Sequence, residues 1–450
     1  DTVLIGYAAG GAINSTDANG TVAIGRQAGL ALTEGQYNVL LGYQAGKTIT
    51  TSDRNVAIGY EALRDLSNTG AQKNIVIGWK AGLGGSGDMS DNIAIGDNAM
   101  DGTGTLDALS NVFIGRDAGG GTWTTAASNQ NVGIGNYVMD AAMNGALRNT
   151  ALGYNALTAL TSGDDNVAIS ENALFSNTSG GSNIAIGRLS GANNTTANSN
   201  MYIGYAAGYN NQTGTNNTIV GNYSLSQTAG VVNFTNVTTL GWEAGYYATG
   251  SYNTFVGSEA GKGGTTSAPF SSGQYNTAIG YNTMAGMTSA VSNTAVGVSA
   301  LEDITTATSN VAVGLNAGAN ITTGGYNTVV GRDAFDAATT VANNVAIGYK
   351  AGGVHTTGAN NVWIGKEAGE ASVYNDSCVG VGQGALGRLS GSFNTAIGNE
   401  ALSGNQGGGA TNSNRNTAVG YYALNKVGQG GSSGNQENVG IGYQAGDVAT

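Results

Sequence analysis

Proline occurs once in 450 residues, at Pro269. A residue without a backbone N–H is kept out of hydrogen-bonded ladders, so its near-absence predicts a chain in which almost every N–H is used for pairing. Cysteine also occurs once, at Cys378, which excludes an intrachain disulfide framework and leaves the redox compartment open. The single histidine, His355, excludes a histidine-based metal cluster or catalytic triad within one chain. Charge is scarce as well: 10% of residues are charged and they sum to −12, with a pI near 4.4. Nucleic acid, whose phosphates attract clustered Lys and Arg, is excluded as a partner. A surface built from neutral polar groups suits contact with sugars or protein. No apolar run approaches the roughly 18 residues of a membrane span, so this segment is not expected to insert into a membrane.

What is present is glycine, 77 residues of it, with much Asn, Thr and Ser. Such a composition suggests disorder, except that an aliphatic is placed strictly before one glycine in every copy of a recurring box. The box reads Asn344-Val345-Ala346-Ile347-Gly348-Tyr349-Lys350-Ala351-Gly352 and returns at Asn55–Leu63, Asn276–Tyr281 and Asn416–Tyr421. Its glycine stands at 24 positions from Gly6 to Gly442, and Ser170 replaces it once, giving 25 copies. Twelve of the 24 spacings are 17 residues, with an unbroken run from Gly280 to Gly382, and the others lie between 16 and 23. This is one repeat domain over 1–450 rather than two or three globular ones. The chain opens at Asp1 almost directly on a box, which is expected of a processed protein or an excerpt of a longer one with further terminal domains.

Within the box, strand alternation puts the aliphatic before glycine and the Val, Thr or Ile two residues earlier on one side. That side is expected to face inward. The residue between them, most often Ala as at Ala23, Ala57, Ala168 and Ala312, would then form a small outer face able to lie close to another chain. Phe113, Tyr202, Phe255 and Trp363 would loosen that approach locally. The glycine marks a corner, and the Ala three residues later is expected to start a second short extended piece. Asn heads 21 of the 25 boxes, with Thr2, Thr21, Val237 and Cys378 as replacements. Its amide can bond to its counterparts in adjacent layers, so Asn38, Asn55, Asn276, Asn344 and Asn416 are expected to belong to a ladder.

One coil buries too little apolar surface to stand alone, so coils must stack at about 4.8 Å per layer, giving a rod of roughly 115 Å over 24 steps. The expected fold is all-β: a parallel β-solenoid of about 25 coils, intertwined or side-packed as a homo-oligomer, because the thin core is marginal by itself. A homotrimer is the preferred state.

With that unit laid out, Asn-Thr/Val-Ala-Ile-Gly-x-x-Ala resembles the repeat of trimeric autotransporter adhesin heads and that of bacteriophage tail-fibre shafts over nearly the whole chain. The period is longer than in the adhesin heads, which favours the fibre. The resemblance implies a trimeric β-roll or β-helix on a virion or cell surface, acting in attachment, and transfers no catalytic residue.

The position after the box glycine is aromatic in 11 copies, Tyr7, Tyr43, Tyr60, Trp79, Tyr154, Tyr205, Trp242, Tyr281, Tyr349, Tyr421 and Tyr443, and basic at Arg26, Arg116, Arg188, Arg332 and Lys366. An aromatic column among Asn and Thr could stack on sugar rings, or could brace the coil edge or a neighbouring chain, as aromatic ladders usually do. Longer returns at 262–275, 403–415 and 425–437 are the second candidate for binding. Paired carboxylates at Asp164-Asp165 and Glu302-Asp303 lack a matched partner at a readable spacing, so no catalytic residue, cofactor or metal is assigned. Cys378 fits a tolerated substitution of the ladder Asn. An ice-binding Thr array is set aside because Thr150, Thr277, Thr294 and Thr395 fall on the side expected to be inward. The function expected is a non-enzymatic extracellular or virion attachment fibre recognising host polysaccharide. The alternatives are a self-assembling structural filament or sheath and, less favoured, a glycan depolymerase.

Overall fold

The computed structural model describes residues 1–13, 18–226, 232–264, 271–371, 375–404, 411–427 and 436–446. Among them there is no helix, and every box forms one three-residue strand, from Val3–Ile5 to Val439–Ile441. No described segment is a helix long and apolar enough to cross a membrane. The coils fall into two compact units, Asp1–Asn222 with Gly230–Asn233, and Tyr223–Ala229 with Phe234–Thr450. Each is a parallel β-solenoid. In the first unit Val39, Leu40 and Leu41 lie opposite Val56, Ala57 and Ile58; in the second Thr277, Ala278 and Ile279 lie opposite Thr294, Ala295 and Val296.

Strands of three residues hold because pairing continues around the coil. In the coil that begins at Asn327, Thr328 N donates to Asn344 O (2.8 Å), Gly331 N to Val313 O (2.8 Å), Phe335 N to Ala351 O (3.0 Å) and Thr339 N to Thr356 O (3.2 Å). Donors thus reach both to the coil before and to the coil after. A proline at any of these positions would remove a bond, which accounts for its absence from the repeats. Threonine hydroxyls add a second ladder: Thr288, Thr305, Thr322 and Thr339 each donate to the backbone carbonyl one coil on, at 2.8–3.2 Å.

The corner at the box glycine is as expected. Gly297 has φ of +137° and Gly314 +139°, a region that side chains avoid. A Cβ on Gly297 would sit 2.3 Å from Gly314 O. Ser170, in the same slot, takes φ of +107°. Past the corner the chain enters a turn, where a second extended piece was expected. Ala28 N donates to Gly25 O at 3.3 Å and Ala317 N to Gly314 O at 3.4 Å, and both alanines are buried. Among the described residues, short second strands occur later in the return, as Met89–Ser90 with Ala108–Leu109 and Leu389–Ser390 with Thr411–Asn412.

The two faces of the box strand are the reverse of those expected. The middle residue is buried in every described box strand except the first, and the two flanking aliphatics are half-buried or exposed on the outside. Ladder asparagines explain the parity. Asn and the strand centre are two residues apart and share a side, and all the ladder asparagines from Asn38 to Asn416 are buried. Asn327 N and Nδ2 both donate to Oδ1 of Asn310 at 2.9 Å, and Nδ2 also donates to Val341 O at 2.8 Å. The same pattern links Asn55 to Asn38, Asn276 to Asn253, Asn344 to Asn327 and Asn416 to Asn394. Each of these amides is satisfied at both ends, so the column is buried without an orphaned polar group. Thr150, Thr277, Thr294 and Thr395 therefore face outward. The case against an ice-binding face rests on composition instead: the other outward column is aliphatic in every copy, and valines interrupt the threonines.

Phe113, Tyr202, Phe255 and Trp363 accordingly point into their own coils, and the core makes room layer by layer. Where the strand centre is Ala, the fourth residue after the box glycine is often a large side chain in left-handed conformation, as at Leu157 (φ 52°), Leu174 (φ 49°) and Leu301 (φ 50°). Where the centre is aromatic, that residue is glycine. A Cβ on Gly119 would lie 2.8 Å from the Phe113 ring, one on Gly261 2.4 Å from Phe255, and one on Gly369 2.6 Å from Trp363. The next strand centre can shrink too, as Gly133 does under Phe113 and Gly380 under Trp363. Interiors tolerate neither voids nor overlap, so volume per layer is conserved while its source moves.

Candidate functional site

The residue after the box glycine leaves the corner pointing away from the core, and most of the predicted aromatics there, including Tyr7, Tyr60, Trp79, Tyr154, Trp242, Tyr281, Tyr421 and Tyr443, are exposed. Tyr43, Tyr205 and Tyr349 are half-buried. Where aromatics fall in successive coils they stack on one another. Tyr43 and Tyr60 centroids are 5.1 Å apart with planes at 14°, Tyr60 and Trp79 6.3 Å at 15°, and Tyr421 and Tyr443 5.4 Å at 5°. Elsewhere a cation covers the ring: Arg26 on Tyr7, Lys80 on Trp79, Arg188 on Tyr205, Lys262 on Trp242, and both Arg332 and Lys350 on Tyr349. Ring faces are therefore turned largely to neighbours along the column. That geometry braces adjacent coils by π stacking and cation–π attraction.

A second feature is hidden from sequence reasoning because of the inverted faces. The outward strand residues form two parallel columns, one wholly Ile, Val or Leu and the other Val, Thr, Ile or Met, half-buried to exposed throughout. In the second unit Ile279, Val311, Val313, Ile347 and Ile397 are each about 40% exposed. A contiguous apolar strip of this kind is unusual on a monomer. The asparagine two residues before the strand centre is the sequence signal that could have placed it, since a buried ladder fixes the side on which the centre lies.

The carboxylate pairs have structural partners. Asp165 is held by Arg148 through two bonds of 2.7 and 2.9 Å, which hold its carboxyl below the usual range. Asp164 Oδ1 accepts from Leu147 N at 2.8 Å. Glu302 accepts from Asn282 Nδ2, and burial followed by the charge of Glu302 raises the Asp303 carboxyl. The largest carboxylate shifts lie elsewhere: burial, then the charge of Asp117, pushes Asp101 and Asp140 up to about 6. Among the described residues no group of three or more His, Cys, Asp or Glu is arranged to hold a metal ion. His355 is a core residue, stacked on Phe335 at 5.8 Å and edge-on to Trp363 at 6.1 Å. Cys378 fills its asparagine slot: its N donates to Asn361 Oδ1 at 3.0 Å, Asn394 N approaches its Sγ at 3.4 Å, and burial pushes the thiol up to about 11. It is an inert space-filler rather than a nucleophile.

Of the longer returns, residues 265–270, 405–410 and 428–435 lie outside the described residues, Pro269 and Phe270 among them. At the base of the first, Lys262 bridges Glu243 (2.7 Å) and Glu259 (3.2 Å). Compared with protein-family models and with curated proteins, the chain matches none.

Proposed function

We propose that this chain is the shaft of a non-enzymatic attachment fibre, working outside the cell or on a virion as a homo-oligomer, with a trimer preferred, and offering its edges to host polysaccharide. The observation that carries the reading is the double column of outward aliphatics. A strip that repeats every layer, about 4.8 Å, is commensurate along its length only with another stack of the same period, and the partner at hand is a second copy of this chain. Burying the strip would supply the apolar area that one thin coil core lacks. With only 10% of residues charged, the surface is built mainly from neutral polar groups, which suits contact with sugars.

The test is the mass in solution of the full chain by light scattering, beside the variant Ile347→Asp/Ile364→Asp. A discrete trimer that dissociates in the variant, with the β-type circular dichroism unchanged, is the expected result. A wild-type monomer overturns the proposal, and open-ended growth with concentration favours the filament. Retention of labelled protein on polysaccharide-coated beads, with no reducing ends released, separates attachment from depolymerisation.

A further inference from the structure

Beside the aromatic column runs a second edge. It is formed by the residue two after the box glycine and the residues five and six after it, on opposite sides of the turn. The second residue sits in left-handed conformation in each coil, with φ of 56° at Asn155, 56° at Asn172 and 61° at Leu189. Asparagine tolerates that conformation better than most residues do. In the first unit the two rows line an open groove of about 410 Å³, with Asn155, Asn172, Phe175, Ser176, Asn193 and Tyr209 among its lining residues. This volume lies within the range of roughly 300–1,000 Å³ typical of small-ligand clefts.

We infer that this groove is a subsite for a neutral oligosaccharide, a placement that rests on the attachment reading above and moves the sugar contact off the aromatic column. Three observations carry it. The first is an available ring: Phe175 is 39% exposed, and among the described residues no ring or cation stacks on it, unlike most of the column aromatics. A sugar's apolar face can therefore pack where stacked tyrosines leave only edges. The second is a set of fixed amides. Asn193 Nδ2 donates to Asn210 Oδ1 at 2.7 Å and its backbone N to Tyr209 O at 3.0 Å, while Ser176 N donates to Ala192 O at 2.9 Å. A side-chain amide held this way can donate to and accept from sugar hydroxyls with little ordering cost.

The third is charge. None of the residues lining the groove is charged, and Glu171, next to Asn172 in sequence, accepts from Asn172 Nδ2 at 3.4 Å and pairs with Arg188 at 3.4 Å. The corresponding edge of the second unit is different. There a groove of about 260 Å³ is lined by Asp333, Asp336, Lys350 and Glu370, and Lys350 bridges Glu370 at 3.6 Å. A ligand chosen by the first groove carries hydroxyls and no charge. One extended along it meets the same coil position at each layer, about every 4.8 Å.

The test is calorimetric titration of the full chain with maltohexaose, cellohexaose, N-acetylchitohexaose and, as the acidic comparison, a hyaluronan hexasaccharide. Wild type is set beside Phe175→Ala, Asn172→Ala and, as a column control, Tyr60→Ala, with circular dichroism confirming that each is folded. The expected result is binding of at least one neutral hexasaccharide, weakened roughly tenfold or more by Phe175→Ala and Asn172→Ala and unchanged by Tyr60→Ala. Neutral binding that survives both groove variants overturns the groove while leaving carbohydrate recognition standing. Binding of the hyaluronan fragment alone overturns the neutral-ligand assignment, and binding of none overturns both.

Discussion

Two stretches of the molecule, the coils around Ala168 in the first unit and those around Trp363 in the second, share a backbone and differ in almost everything attached to it. Both keep the asparagine ladder, with Asn183 N donating to Asn166 Oδ1 at 3.0 Å and Asn361 N donating to Asn344 Oδ1 at 2.9 Å. Both keep the glycine-type corner, and Ser170 marks where the first stretch strains it. Inside, one fills its layer with Leu174 reaching over a small centre, and the other with Trp363 over Gly369 and Gly380. At the edge, one presents Asn172 and Phe175, and the other Glu367 and Glu370. The difference teaches that the repeat constrains a hydrogen-bond scaffold and a volume per layer. Side chains may vary freely wherever neither is touched.

Breaking the shared scaffold should hurt both stretches most. Gly297→Ala places a Cβ 2.3 Å from the next coil's carbonyl at a φ that alanine avoids. A loss of about 4 kcal/mol or more is expected in denaturant titration. The reverse change, Ser170→Gly, should raise stability by about 1 kcal/mol. A loss for Gly297→Ala as small as that of a surface mutation would show that the corner relaxes.

Volume is the next lever. Leu174→Gly should cost about 2–4 kcal/mol through the cavity it leaves. Combining it with Ala168→Phe, which recreates the aromatic-over-glycine arrangement of the second stretch, should cost less than the sum of the two single changes. Strict additivity in that double-mutant cycle would mean the two layers are not solving the same packing problem.

A smaller effect comes from the ladder. Asn310→Ala strips Asn327 of the oxygen that receives two of its N–H groups and leaves Gly324 O without the bond from Asn310 Nδ2. The expected cost is about 1–3 kcal/mol, and the same change at Asn166 should match it, since the scaffold is common to both stretches. Unequal losses would locate a dependence on neighbouring side chains.

The smallest effect is one of pH. Asp101 and Asp140 titrate near 6, above the ordinary aspartate value. A carboxyl whose folded pKa is raised binds more protons folded than unfolded, so stability falls as pH rises through the window between about 4 and 6. Both groups are partly solvated, which limits the effect to about 1 kcal/mol or less. Melting should therefore be higher at pH 5 than at pH 7 for this pair's contribution, and Asp101→Asn should reduce that difference.

Much of the fold is legible in the sequence. The box positions, the strand at each of them, the corner glycine, the asparagine ladder and the stacking of like on like all follow from periodicity and the preferences of Gly and Asn. The orientation of the strand does not follow. Alternation pairs Val345 with Ile347 and sets Ala346 apart, but it does not say which side is inside, and hydrophobicity points to the wrong one. The edge groove is equally hidden, because Asn172 and Phe175 meet only across a turn whose left-handed residues carry no sequence mark beyond a mild preference for Asn.

The amino-acid order alone determined that this protein is a stack of short parallel strands with a buried amide column, since a strict period and one tolerated residue type per corner admit little else. Only the tertiary structure decided that alanine lies within and isoleucine without. The reason is width: a coil of seventeen residues encloses room for asparagine, alanines and one or two large side chains from the turn, such as Leu301 and Ile304, and the remaining aliphatics have no place but the surface.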